Sequence, residues 1–297
     1  MKKRPVFTWL PPLFSAVGLY TVLLLLLFLN QGRLVFMPRQ EVTITPGDAG
    51  LPFRSVELVA GDGVLLSAWF VPASTAKEEP GEHRPPVLLF CHGNAGNLSH
   101  IVDRIRVLHD IGVSVFAFDY RGYGGSAGIP SEDGVYRDAE AAWAYLVSPP
   151  ASYGEENIVV HGHSLGAAVA ARLAAVHDPA ALILESPFIS APRLAADRLP
   201  LFPVRALLRD RFDTAESLQA IHCPVLVVHS HEDRITPYSH GARLYAEVNS
   251  PKRMLTIEGD HNSGYRTSEA VYREGLGRFL ADVVTQRAGS SPILQPP

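Results

Sequence analysis

The sequence predicts an α/β protein: a mostly parallel eight-stranded sheet with helices on both faces, preceded by one N-terminal transmembrane helix. Three observations predict it. Short apolar runs rich in β-branched residues alternate with helical patterns between about residues 54 and 284. Those runs lack polar alternation, which suits parallel strands covered on both sides. A third feature is the stretch between Arg4 and Arg33, which holds no charged residue.

That N-terminal stretch is almost wholly apolar from Leu13 to Leu29. Counted from Pro11-Pro12, which suit a first helical turn, it gives 19 residues. At about 1.5 Å each they match the roughly 30 Å hydrocarbon thickness of a bilayer. A cleavable signal would have a shorter apolar core and a small-residue site, whereas this stretch runs into Asn30-Gln-Gly-Arg-Leu34. An uncleaved anchor over residues 1–30 is the reading. Lys2, Lys3 and Arg4 outnumber Arg33 and Arg39. The positive-inside rule therefore keeps the N-terminus cytoplasmic and sends the large domain to the extracytoplasmic side.

Residues 31–50 read as a juxtamembrane connector and 51–285 as the folded domain. Arg54–Ala60 and Val64–Val71 flank Gly61-Asp-Gly63, the pattern of an antiparallel hairpin. Further strands are expected at Val87–Cys91, Val113–Phe118, Ile158–His161, Leu182–Leu184, Val225–His229 and Met254–Ile257. Helical patterns lie between and after them, at Asn97–Asp110, Ser131–Val147, Leu165–His177, Pro237–Val248 and Gly264–Val284. A hairpin followed by β-α repeats argues for helices on both faces of one sheet. Residues 74–86 are a polar, Pro-rich surface loop, and 286–297 a disordered tail.

Composition narrows the function. Net charge is −4 with no basic block in the body of the chain, so no nucleic-acid surface is expected. The two cysteines, Cys91 and Cys223, fall at opposite ends of expected strands, beyond disulfide reach, and are read as buried thiols. No Cys, His or Asp cluster has metal-ligand spacing, so neither a metal nor another cofactor is expected.

The chemistry lies in Gly162-His163-Ser164-Leu165-Gly166, which follows a strand and opens an Ala-rich helix. The motif alone is weak; strand, sharp turn and helix in sequence give it weight. Glycines on either side permit a strained turn that lifts the Ser164 hydroxyl clear of the sheet. A serine needs a base, and the base an orienting acid. Downstream, Asp233 and His261 each lie on a loop just past a strand's C-terminal end, where open α/β sheets bind ligands. They are the candidate acid and base. Glu185 is an alternative acid, Glu232 and Asp260 are close neighbours, and His229, His231 and His240 are read as structural. Gly93 turns the loop after the Val87–Cys91 strand. The main-chain N–H groups of Asn94 and Leu165 are the candidate oxyanion hole.

His92-Gly-Asn-Ala-Gly-Asn97, Asp119-Tyr-Arg-Gly-Tyr-Gly-Gly-Ser126, Gly162–Gly166, Glu185-Ser-Pro-Phe188 and Asp260-His-Asn262 together resemble the Bem46-like branch of the α/β-hydrolases. That branch includes ABHD-type membrane-associated hydrolases, and the resemblance spans about residues 34–284. It implies the α/β-hydrolase fold, with a short cap near 186–222, and a Ser–Asp–His triad. The implied activity is hydrolysis of a small-molecule, lipid or other acyl ester or thioester. An amidase with the same triad, and a silent membrane-tethered binding module, are the alternatives. Ser230 stands where the family usually has Gly, and His163 precedes the serine; neither removes a catalytic group.

Overall fold

The structure is a computed structural model that describes residues 10–74 and 85–289. The predicted 74–86 loop falls almost wholly outside them, as does the predicted tail from residue 290 onward. Helix α1 (Leu10–Val35) leads into a two-residue strand β1 (Met37–Pro38). The hairpin β2 (Arg54–Val59) and β3 (Leu65–Val71) precedes β4 (Val87–Cys91) and the short β5 (Ala95–Gly96). Then follow α2 (Val102–His109), β6 (Ser114–Phe118), α3 (Glu132–Val147), β7 (Ile158–His163), α4 (Leu165–Ala174) and β8 (Ala181–Glu185). Three short helices come next, α5 (Ala191–Arg198), α6 (Val204–Leu207) and α7 (Thr214–Leu218). The chain finishes with β9 (Val225–Ser230), α8 (Tyr238–Glu247), β10 (Lys252–Ile257), α9 (Gly264–Thr267) and α10 (Glu269–Gly289).

Eight strands form one sheet in the order β10-β9-β8-β7-β4-β6-β3-β2. Its pairs are parallel from β10 to β6 and antiparallel only where β3 meets β6 and β2. Alternate residues of each strand point to opposite faces. Leu89, Cys91, Val160 and Leu182 therefore pack with α3, α4 and α8 side chains such as Trp143, Val169 and Leu244. Leu88, Phe90, Val159 and Ile183 face the other way, against Val102, Ile105, Tyr272 and Leu276 of α2 and α10. Continuous burial of β4, β6, β7, β8 and β9 is the physical content of their unbroken apolar sequence.

Three boundaries differ from expectation. The first helix continues to Val35, through Gln31 and the exposed Arg33, because the domain supplies a partner for Gln31. Arg209 N–H donates to the Gln31 amide oxygen at 2.7 Å, and the Arg209 guanidinium lies 4.3 Å from the Phe28 ring centre. The last helix is broken near Ser268 into α9 and α10, and α10 runs to Gly289. Finally, the connector carries a short strand not expected from the sequence. Met37 N–H donates to the Asn94 carbonyl at 2.9 Å and Arg39 N–H to Gly96 at 3.0 Å, pairing β1 with β5.

Farther up α1, Phe14, Val17, Leu19, Leu25 and Leu29 are exposed. Phe14–Val35 is long and apolar enough to cross a membrane, with mean hydropathy 1.8.

Candidate active site

Strand β7 ends in Gly162-His163, and Ser164 turns the chain directly into α4. Ser164 adopts φ +55°, ψ −117°, a left-handed conformation that L-residues rarely hold. It is tolerated because its neighbours leave room: a Cβ on Gly162 would collide with the Gly166 carbonyl, and one on Gly166 with the Cys91 carbonyl. The turn presents the Ser164 hydroxyl at the C-terminal edge of the sheet and aims the start of α4 at the same spot.

Two loops complete the arrangement. Asp233 follows β9 and His261 follows β10, adjacent parallel strands in register. The His261 Nε2 lies 2.8 Å from Ser164 Oγ, and its Nδ1 lies 2.7 Å from Asp233 Oδ2. All three residues are buried. With Nδ1 donating to the carboxylate, Nε2 presents its lone pair to the hydroxyl.

Asp233 is held from several sides. Ile235 and Thr236 N–H donate to Oδ1 at 2.9 and 2.8 Å. His229 Nε2 donates to the Thr236 carbonyl at 2.9 Å and lies 3.4 Å from Asp233 Oδ2. Burial works against the charged carboxylate, but His229, His261 and the Thr236 N–H outweigh it and hold Asp233 well below the usual carboxylate range. His229 thus braces the acid, a contact invisible in a sequence with 12 histidines. The unusual Ser230 adds to the loop: its hydroxyl accepts from Glu232 N–H at 3.0 Å.

Glu185, the alternative acid, is engaged elsewhere. Its carboxylate pairs with Arg104, accepts from Tyr272 Oη at 2.8 Å and lies 3.1 Å from His161 Nε2. This buried cluster ties α2 and α10 to β7 and β8 beneath the site. Burial opposes the Glu185 charge, yet Arg104 and the histidines hold its pKa far below normal. His163 donates from Nε2 to the His261 carbonyl at 2.9 Å, fixing the base loop to the serine turn. Burial and the nearby Arg104 charge push its pKa down to about 3.

The Asn94 loop stands opposite the start of α4. Its carbonyl accepts from Met37 N–H and, at 2.7 Å, from Tyr123 Oη, while its side chain donates to the Val35 carbonyl at 3.1 Å. As the first residue of α4, Leu165 has an N–H without an intrahelical acceptor. Two cavities meet at Asn94 and Ser164. One, of about 260 Å³, is apolar and lies under α5, α6 and the C-terminal turns of α1. The other is a polar cleft edged by His100, His231, Arg234 and Arg266. Among the described residues no group of three or more His, Cys, Asp or Glu side chains is placed to hold a metal.

Comparison with known proteins agrees with this architecture. A family model described as serine aminopeptidase, S33 (Hydrolase_4) matches residues 82–209. An uncharacterized protein of Mycobacterium tuberculosis is 36% identical over 254 residues, covering 85% of this chain and 88% of its own. The α/β hydrolase domain-containing protein WAV2 of Arabidopsis thaliana is 33% identical over 292 residues, covering 90% of this chain and 92% of its own. The solved esterase Pf2001 of Pyrococcus furiosus superposes with a TM-score of 0.68 at 22% identity, over 84% of this chain and 97% of that one. At that identity the likeness shows the fold. Sheet order, elbow and relatives converge: the chain belongs to the ABHD-type branch of the α/β-hydrolase superfamily.

Proposed function

We propose that the protein is a membrane-anchored serine hydrolase that cleaves carboxylic ester or thioester bonds through an acyl-enzyme on Ser164. The observation that carries this reading is the continuous relay from Ser164 Oγ through His261 to Asp233 at 2.8 and 2.7 Å. As the hydroxyl attacks the acyl carbonyl, His261 Nε2 takes its proton and Asp233 stabilises the resulting imidazolium. The main-chain N–H groups of Leu165 and Asn94 receive the developing oxyanion. His261 then returns the proton to the leaving alcohol or thiol. Water, activated by the same imidazole, hydrolyses the acyl-enzyme.

Replacing Ser164 with Ala is expected to lower kcat/KM on a short p-nitrophenyl ester by at least about 10³-fold. Labelling by a fluorophosphonate probe should disappear with it. A purified variant as active as the parent would end the proposal. Amide cleavage is the second reading, favoured by the serine aminopeptidase description of the matched family model. Ester, thioester and aminoacyl-amide substrates sharing one acyl group separate the two by their relative kcat/KM.

The apolar α1 supports anchoring, and the Lys2, Lys3 and Arg4 cluster supports a cytoplasmic N-terminus with the domain outside.

A further inference from the structure

The apolar cavity at Ser164 has an unusual wall. Leu27, Phe28 and Leu34 of α1 line it on one side, and Phe188, Leu194 and Leu199 of the cap segment on the other. The helix that sequence reasoning treats as a tether therefore forms part of the space next to the nucleophile. Its attachment is specific. Gln31 accepts from Arg209 N–H, Tyr20 donates to the Leu201 carbonyl at 2.9 Å, and the Tyr20 ring stacks on Phe202 at 5.7 Å. Across the roof, Arg198 donates to the Ile235 carbonyl at 2.7 Å, joining α5 to the acid loop.

The surroundings say where this cavity opens. Leu201 is 82% exposed and Leu199 39%, beside exposed apolar residues of α1 itself. A soluble surface has little reason to gather such residues around one cavity; a lipid-facing one does. On the opposite side of Ser164 the cleft is polar and carries Arg234, Arg266 and His231. The nucleophile thus sits at a boundary between an apolar and a polar compartment.

We propose that α1 is the outer wall of an acyl-chain pocket, and that the substrate is a single-chain amphiphile drawn from the lipid surface. Its acyl chain lies between α1 and the cap, and its polar leaving group lies in the cleft beside His231. This rests on the serine-hydrolase reading and names the substrate class of that site. Size sets the chain. With about 260 Å³ between α1 and the cap, the cavity suits an acyl chain of medium length, on the order of ten carbons.

The test uses the full-length protein in detergent, with p-nitrophenyl esters from acetate to palmitate. Specificity should rise to about the octanoate or decanoate ester and then fall. Leu27→Trp and Val35→Trp each fill the cavity from the α1 side and should lower the octanoate-to-acetate ratio of kcat/KM at least about tenfold, the effect of losing a few buried methylenes. Leu25→Trp, at an exposed position of the same helix outside the cavity wall, should keep the parental ratio. A ratio within about twofold of the parent in both cavity variants, or an equal fall in Leu25→Trp, overturns the proposal. Failure of the underlying hydrolase reading has another signature: Ser164→Ala turns over the esters as fast as the parent at every chain length, which overturns both.

Discussion

His163 shows what a single buried side chain does to the molecule's response to acid. It lies between Gly93 and the base loop, with Arg104, Glu185 and the His261 ring as its charged or titratable neighbours. Burial, helped by the Arg104 charge, lowers its pKa to about 3. In the unfolded chain the same imidazole titrates near 6.5. Between those values the unfolded state binds the extra proton, so stability rises with pH. The contribution is whole above about pH 6.5 and shrinks as pH falls towards 3. Each unit of pH costs about 1.4 kcal/mol for one such group, or about 2 kcal/mol by pH 5. His163→Phe removes the titrating group and one hydrogen bond to the His261 carbonyl. Urea unfolding of parent and variant at about pH 7 and about pH 5 checks this. The variant should lose about 2 kcal/mol less between the two conditions, and equal losses would contradict the assignment.

At the scale of elements, the connector matters more than its two-residue strand suggests. Strand β1 hangs on β5 through the Met37 N–H, which donates to the carbonyl of Asn94. The Asn94 N–H proposed for the oxyanion hole belongs to the same loop. Met37→Pro deletes that donor without touching Ser164, Asp233 or His261. One lost hydrogen bond of about 1 kcal/mol at a positioning loop should lower kcat for a short ester by about fivefold to tenfold, with KM little changed. Steady-state kinetics and a slower fluorophosphonate labelling rate are the readouts.

The same elements explain what could be read from the sequence. Strands β4, β7 and β9 were legible because burial on both faces demands unbroken apolar runs. The elbow was legible because Gly162 and Gly166 answer to steric contacts that no other residue meets. Strand β1 was not, since two residues carry no period. Nor was the extension of α1 past Asn30: Gln31 and Arg33 end a hydropathy run, but a distant partner, Arg209, keeps the helix going. The bracing of Asp233 by His229 depends on a loop conformation that spacing does not encode.

For the whole molecule, the length of α1 and its packing make one argument. Its 26 residues extend about 39 Å at 1.5 Å per residue, against a hydrocarbon core of about 30 Å. The excess is about 9 Å, or six residues, if the helix runs straight across. The domain's contacts reach well beyond that excess: they run from Tyr20, which donates to the Leu201 carbonyl, to Val35, held by the Asn94 side chain, 16 residues or about 24 Å of helix. Helix and domain are thus joined along most of α1, and the anchoring proposed above would turn the cap loop around Leu201 towards lipid. Cleavage after residue 30 would strip the cavity of Leu27 and Phe28 and leave the Leu201 carbonyl without its Tyr20 donor. The expected outcome is that the mature protein retains its N-terminal residues, stays with membranes through an alkaline carbonate wash, and exposes its domain to added protease only from the extracytoplasmic side. Intact mass, fractionation and protection of sealed spheroplasts or vesicles read these directly. A mature chain beginning after residue 30 and released by carbonate would contradict the anchor and the α1 wall together, whereas protease access from the cytoplasmic face alone would reverse only the orientation.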